Sequence, residues 1–161
     1  MQIARVLGAT VTAVTRTKEK QAEAEQMGAH EVSISNDSKT MEAHELKFNF
    51  ILITVPDAFE GNDYMKRAKR NGIIAIIGLL GPYKDLPDNQ EMTMHRRSIE
   101  GSIIDGIAET QEALKFCVEH HILPEFEMNK MRDINDVFDK RNDKEVCFRY
   151  VIDIASLKDA Q

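Results

Sequence analysis

The chain has 161 residues, 42% hydrophobic and 30% charged, enough to bury one core and too few for several domains. Its net charge of −6, with basic residues scattered among acids, argues against nonspecific nucleic-acid binding and against anionic membranes, both of which need a cationic surface. Cys117 and Cys147 lack CxxC spacing, no run approaches the roughly 18 apolar residues of a membrane span, and the start lacks a signal peptide's features, so a reducing cytoplasm is expected.

The opening run Met1-Gln-Ile-Ala-Arg-Val-Leu-Gly-Ala9 reads as the back half of a helix, and Thr10-Val-Thr-Ala-Val-Thr15 as a strand. Residues 17–27 are rich in helix formers, with Gly28 suited to the left-handed position past the end. Residues 31–35 alternate like a short strand. The apolar run 48–55, stopped by Pro56, has buried-strand character. Residues 62–69 read as a helix, and Gly72-Ile-Ile-Ala-Ile-Ile-Gly78 as the clearest core strand. An irregular loop over 79–89 leads to a strand at 98–104 interrupted by Gly101, then to a helix over 108–120. In the last third, residues 124–128 alternate, 133–140 form a short amphipathic helix with Asp133 as N-cap, and 148–154 make a final strand. Alternating helices and strands predict an α/β fold with a mostly parallel sheet.

Those runs, in that order, resemble the zinc-dependent medium-chain alcohol dehydrogenases, in the branch of cinnamyl-alcohol dehydrogenases and NADP-dependent aldehyde reductases. The resemblance rests on Gln2-Ile-Ala-Arg-Val-Leu-Gly-Ala9, Thr15-Arg-Thr-Lys-Glu-Lys20 through Met27-Gly-Ala29, Gly78-Leu79, Arg97-Ser-Ile-Glu-Gly-Ser102, Glu109-Thr-Gln-Glu112, Phe116-Cys117 and Arg149-Tyr-Val-Ile-Asp-Ile154. It implies an incomplete Rossmann-type, doubly wound parallel sheet without its first strand and glycine-rich pyrophosphate turn. Residues 1–121 would be a truncated NADP-binding domain, and 122–161 a segment returning to a catalytic domain that this sequence does not contain.

The resemblance also implies site residues. An acid at the end of the second strand grips the ribose of NAD; here Thr15 and Arg16 stand there, with Lys20 one turn on, a hydroxyl and two cations suited to a 2′-phosphate. The coenzyme is therefore expected to be NADP(H), against the plainer reading of a solvated turn opening a helix. Thr54 and Val55 after one strand, and Gly78 and Leu79 after the next, would line the nicotinamide cleft, although Gly78 equally suits an ordinary strand end. Arg149 matches a pyrophosphate-binding arginine and equally suits an exposed strand. After Ile104 the chain departs from the family's Gly-Ser-Arg, so a contact made by that arginine is lost.

Catalytic zinc in the family needs Cys and His ligands from the other domain. The five histidines here, His30, His44, His95, His120 and His121, show no ligand spacing and read as surface or cap residues; no alternative catalytic constellation presents itself. Three functions follow: the coenzyme half of a reductase, inactive alone and binding NADP(H) weakly or not at all; a non-catalytic module that dimerises or binds nucleotide weakly; or an autonomous enzyme of unfamiliar type. A homodimer through the edge strand 98–104, using Ile99, Ile103 and Ile104, is expected. Without the first strand, the strands at 10–15 and 48–55 would each have an open edge. Direct pairing of the two, insertion of the strand at 148–154, or a strand from another copy would close it.

Overall fold

The computed structural model describes residues 1–55, 58–78, 85, 87–142 and 149–160. Pro56, Leu79, Cys147, Phe148 and most of the loop at 79–89 lie outside the described residues. Two compact units divide the chain at Leu114 and Lys115.

In the first unit, helix α1 (Gln2–Val6) runs into strand β1 (Thr12–Thr15), which pairs in parallel with β2 (Glu31–Ile34). A 3-10 turn at Lys18–Lys20 and helix α2 (Gln21–Gln26) carry the crossover. Residues 17–27 are thus not one continuous helix. Thr17 is extended and Lys20, at the α2 N-cap, makes no side-chain cap bond, so the α-helix starts only at Gln21. Gly28 takes φ +99°, the left-handed conformation expected of it.

Helix α3 (Ser38–Glu42) was not foreseen. It is set by Asp37, whose carboxylate accepts from the amides of Lys39 and Thr40. After it, β3 (Phe48–Ile53), β4 (Ala68–Ile76) and β5 (Ser98–Gly101) form a parallel sheet in that order. Helix α4 (Gly61–Arg67) connects β3 to β4 and α5 (Asn89–His95) connects β4 to β5. Asp88 caps α5, another helix not foreseen.

The helix expected to reach residue 69 stops at Arg67, and β4 begins earlier than Gly72. Ala68, fully buried, already pairs with Phe48, and the ladder resumes at Phe50 with Ile73 after an irregular detour. Asn71 adopts φ 61° there, and a Cβ on Gly72 would lie 2.8 Å from the Lys69 carbonyl oxygen. Gly72 is therefore a close-approach position inside the strand. The core consists of Ile53, Met65, Ala68 and Ile74, with Ile51, Val55, Phe59, Tyr64, Ile76, Met92 and Ile99 packed around it. Each fully buried aliphatic side chain contributes roughly 1.5–3 kcal/mol.

Two of the three ways to close the open edges are overturned. β1 pairs with β2 and β3 with β4, in separate sheets, so β1 and β3 do not pair. The C-terminal strand is not inserted beside either; it belongs to the second unit. There β6 (Glu127–Lys130) pairs in parallel with β7 (Tyr150–Asp153), joined through a 3-10 turn (Met131–Asp133) and helix α7 (Ile134–Asn142). Buried Ser156 ties the unit together, accepting from the Met131 amide at 2.8 Å and donating to the Asp153 carbonyl.

Helix α6 (Ile107–Glu119) spans the division between the units. The strand expected over 98–104 ends at Gly101. Ile103 and Ile104 beyond it are exposed, whereas Ile99, expected on the same joining face, packs against the core.

Candidate functional site

Strand polarity sets where the candidate residues lie. β1 ends at Thr15, so Arg16 and the Lys18–Lys20 turn follow its carboxyl end. Arg16 and Lys20 are exposed. The Thr15 hydroxyl donates to the Thr17 carbonyl at 2.8 Å, which folds the chain back directly after the strand. β3 and β4 lie side by side, Ile53 opposite Ile76, and the Ile77 amide donates to the Ile53 carbonyl at 3.1 Å. Thr54 and Val55 therefore adjoin the residues leading to Gly78 at one edge of that sheet. Carboxyl edges of parallel strands are where open α/β sheets bind ligands.

Val55 packs against the core while Thr54 is exposed. This contrast fits a loop whose backbone is anchored and whose polar side chain is available. Tyr64, on α4 after that loop, carries a pKa pushed up by burial and by Asp63, opposed by the positive charges of Arg16 and Arg67.

The N-terminus of α4 is clipped to the segment that precedes α5. The Asp85 carboxylate accepts from the Gly61 amide at 3.1 Å and from Asn62 Nδ2 at 2.6 Å, and the Asn62 side-chain oxygen accepts from the Asp88 amide at 2.9 Å. Sequence reasoning missed this clip. Its signal was the acid-rich Asp85-Leu-Pro-Asp88 run, read only as part of a loop.

The candidates fall into separate groups. Thr15, Arg16 and Lys20 cluster at the end of β1, and Thr54, Val55 and Gly78 at the end of β3 and β4. Arg149 is exposed and belongs to the second unit, its carbonyl accepting from the Glu127 amide at 2.8 Å. Leu79 lies outside the described residues.

Reading all five histidines as surface or cap residues fails at His44. It is 3% exposed, hydrogen-bonded to Ser33, with a pKa held below the ordinary value mainly by burial and by Lys47. The other four are exposed or partly so, His121 taking a left-handed φ of 55° just past α6. Arg97, in the matching run Arg97–Ser102, is buried. Its Nε donates to the Ala68 carbonyl at 2.9 Å, and another guanidinium nitrogen pairs with Glu91. Among the described residues no group of three or more His, Cys, Asp or Glu side chains is placed to hold a metal ion. None of the described helices is long and apolar enough to cross a membrane.

A family model described as zinc-binding dehydrogenase matches residues 1–119, and the chain belongs to that family. Its relatives include the aldehyde reductase YahK of Escherichia coli, 36% identical over 99% of this chain and 46% of the relative. Cinnamyl alcohol dehydrogenase 3 of Arabidopsis thaliana is 34% identical over 97% of this chain and 42% of its own length. The chain thus spans about half the length of the curated relatives it matches. Among solved structures, the cinnamyl alcohol dehydrogenase SbCAD4 of Sorghum bicolor superposes with TM-score 0.87 at 25% identity, covering 96% of this chain and 44% of that one. A CAD of Helicobacter pylori, solved with NADP(H), gives TM-score 0.77 at 29% identity over 96% of this chain and 44% of that one. The expected family and α/β fold class are therefore correct: helices and parallel sheets alternate, and the similar solved structures are medium-chain alcohol dehydrogenases with a Rossmann-type coenzyme-binding domain.

Proposed function

We propose that residues 1–161 act as the coenzyme-binding part of an NADP(H)-dependent, zinc-dependent alcohol dehydrogenase or aldehyde reductase, and that they do not turn over substrate alone. The observation that carries the coenzyme reading is the donor set at the end of β1: Thr15, then Arg16, with Lys20 closing the following turn, and no carboxylate at Thr15 or Arg16 to select an unphosphorylated ribose. Arg16 forks onto the phosphate oxygens and Lys20 adds a mobile point charge. The NADP(H) complex of the Helicobacter pylori relative supports this choice.

When bound, the coenzyme supplies a hydride for an aldehyde carbonyl or takes one from an alcohol. Thr54, Val55 and Gly78, with Leu79, line the nicotinamide end. Residues 1–121 serve the coenzyme, and 122–161 contact the zinc-binding portion found in the family. Two cysteines, of which Cys117 is a free thiol, support a reducing cytoplasm.

A homodimer through the open side of β5 accompanies this reading, supported by the exposure of Ile103 and Ile104. Sedimentation of the parent and Ile103→Lys tests it: a dimer that becomes a monomer is expected, and identical behaviour of both contradicts it. For the function, the chain is assayed for NADPH oxidation with aldehydes, with and without added zinc. Absence of turnover is expected in both, with or without weak NADPH binding. Robust metal-independent turnover would show an autonomous enzyme instead.

A further inference from the structure

A connected set of polar side chains lies at the amino ends of β1, β2 and β3, opposite the candidate coenzyme edge. Thr12 Oγ1 on β1 donates to Glu31 Oε2 on β2 at 3.3 Å, and Lys47 Nζ, just before β3, reaches the same oxygen at 2.6 Å. That ammonium also lies 3.1 Å from His44 Nδ1, while His44 Nε2 is hydrogen-bonded to Ser33 Oγ on β2. Ser33 and His44 are 0% and 3% exposed. Two backbone bonds, from the Leu46 amide to the Lys66 carbonyl at 3.1 Å and from the Lys47 amide to the Arg67 carbonyl at 2.9 Å, fasten the same turn to the end of α4.

Proton placement follows from the donor inventory. A Lys ammonium has donors only, so His44 Nδ1 presents its lone pair and the ring proton sits on Nε2, donated to Ser33 Oγ. This tautomer cannot take a proton from Ser33, and Ser33 is closed to substrate. The pair is therefore not a nucleophile with its base.

We infer that Ser33, His44, Lys47 and Glu31 form an acid-weakened latch, in which a proton added to His44 Nδ1 expels the Lys47 ammonium and leaves the His44–Ser33 bond as the remaining tie of this set between the turn before β3 and the β1–β2 pair. Nδ1 is the ring's remaining lone pair, and Lys47 already uses it. Adding a proton there sets two cations against each other across a 3.1 Å contact. Arg67, 8% exposed with an unpartnered Nε, adds like charge from the end of α4. Glu31 pulls the other way, and the Phe48 ring, 5.3 Å from the His44 ring centroid, supplies no charge. Lys47 and Glu31 have side chains 39% and 44% exposed, so the ammonium has a path to water when expelled.

Burial, Lys47 and Arg67 all depress the His44 pKa, against Glu31. The unfolded chain then takes up this proton at higher pH than the folded one. Stability from the neutral latch is complete above the ordinary histidine pKa of about 6.5 and is lost as pH falls through the folded value. Carboxylates with shifted pKa values here lie below their ordinary range, so they titrate at lower pH.

The test is thermal unfolding of the 161-residue chain between about pH 8 and about pH 5, the histidine window, together with NMR titration of the imidazoles. Parent, His44→Gln and Lys47→Met are compared; glutamine keeps an acceptor for Lys47 and a donor for Ser33 but does not titrate. The parent's midpoint should fall with pH, with at least half of that fall missing in His44→Gln. His44 should titrate below the ordinary histidine value of about 6.5, and Lys47→Met should move it back upward. Parallel falls in parent and His44→Gln, or a His44 that titrates at or above the ordinary histidine value of about 6.5, would overturn the latch. Should His44→Gln fail to fold, the imidazole titrations of parent and Lys47→Met decide. None of these readouts depends on coenzyme binding.

Discussion

Sheet β3–β4–β5 and the β1–β2 pair are both parallel arrays crossed by helices, yet they are held differently. The first closes over Ile53, Met65, Ala68 and Ile74, where apolar area removed from water carries the stability. The second buries small or polar groups, Ala24, Ala29, Ser33 and His44, with Met41 as its large apolar residue. Apolar packing tolerates any pH, whereas a buried imidazole facing an ammonium does not. The β1–β2 pair is thus expected to be the more condition-dependent part, and it carries Thr15 and Arg16.

The largest effect should come from the apolar side. Met65 is 1% exposed, and Met65→Ala should cost about 2–5 kcal/mol, measured by urea unfolding. If His44→Gln at pH 8 costs more, the contrast is reversed. A smaller loss is expected where a cap is removed. The Asp88 carboxylate accepts from the Gln90 amide at 2.8 Å, so Asp88→Ala should lower stability by about 1 kcal/mol.

The smallest effect concerns Glu31, whose pKa is lowered first by its hydrogen bond to Lys47. Because the folded value is depressed, its contribution is present above the unfolded carboxylate range, near pH 4.3 at about model-peptide conditions, and is lost as pH falls through the folded value. Lys47→Met should flatten that acid limb; an unchanged limb would assign it to other carboxylates.

The same contrast explains what was legible in the residues. Continuous apolar runs such as 48–55 and 72–78 announce buried strands because burial on both faces requires them, and the crossovers between them follow from parallel pairing. Helices α3 and α5 escaped notice because each is short and fixed by one aspartate, Asp37 or Asp88, rather than by an apolar stripe. His44 escaped because nothing in its local sequence distinguishes a buried histidine from an exposed one; its partner Ser33 is eleven residues away and meets it once α3 packs against β2. The coenzyme candidates were found from position in a recognised family pattern, and the Asp85 clip beside them was hidden because it joins residues 23 and 24 positions apart.

The central claim is selectivity for a 2′-phosphorylated adenosine at Thr15, Arg16 and Lys20, and the most direct measurement avoids the pyrophosphate altogether. Adenosine 2′,5′-bisphosphate and 5′-AMP are titrated separately into the chain while backbone amide signals are followed by NMR. The account predicts that the bisphosphate binds more tightly, perturbs Thr15, Arg16 and Lys20, and loses that advantage in Arg16→Ala. Equal affinity for the two nucleotides, or a preference that survives Arg16→Ala unchanged, would contradict it.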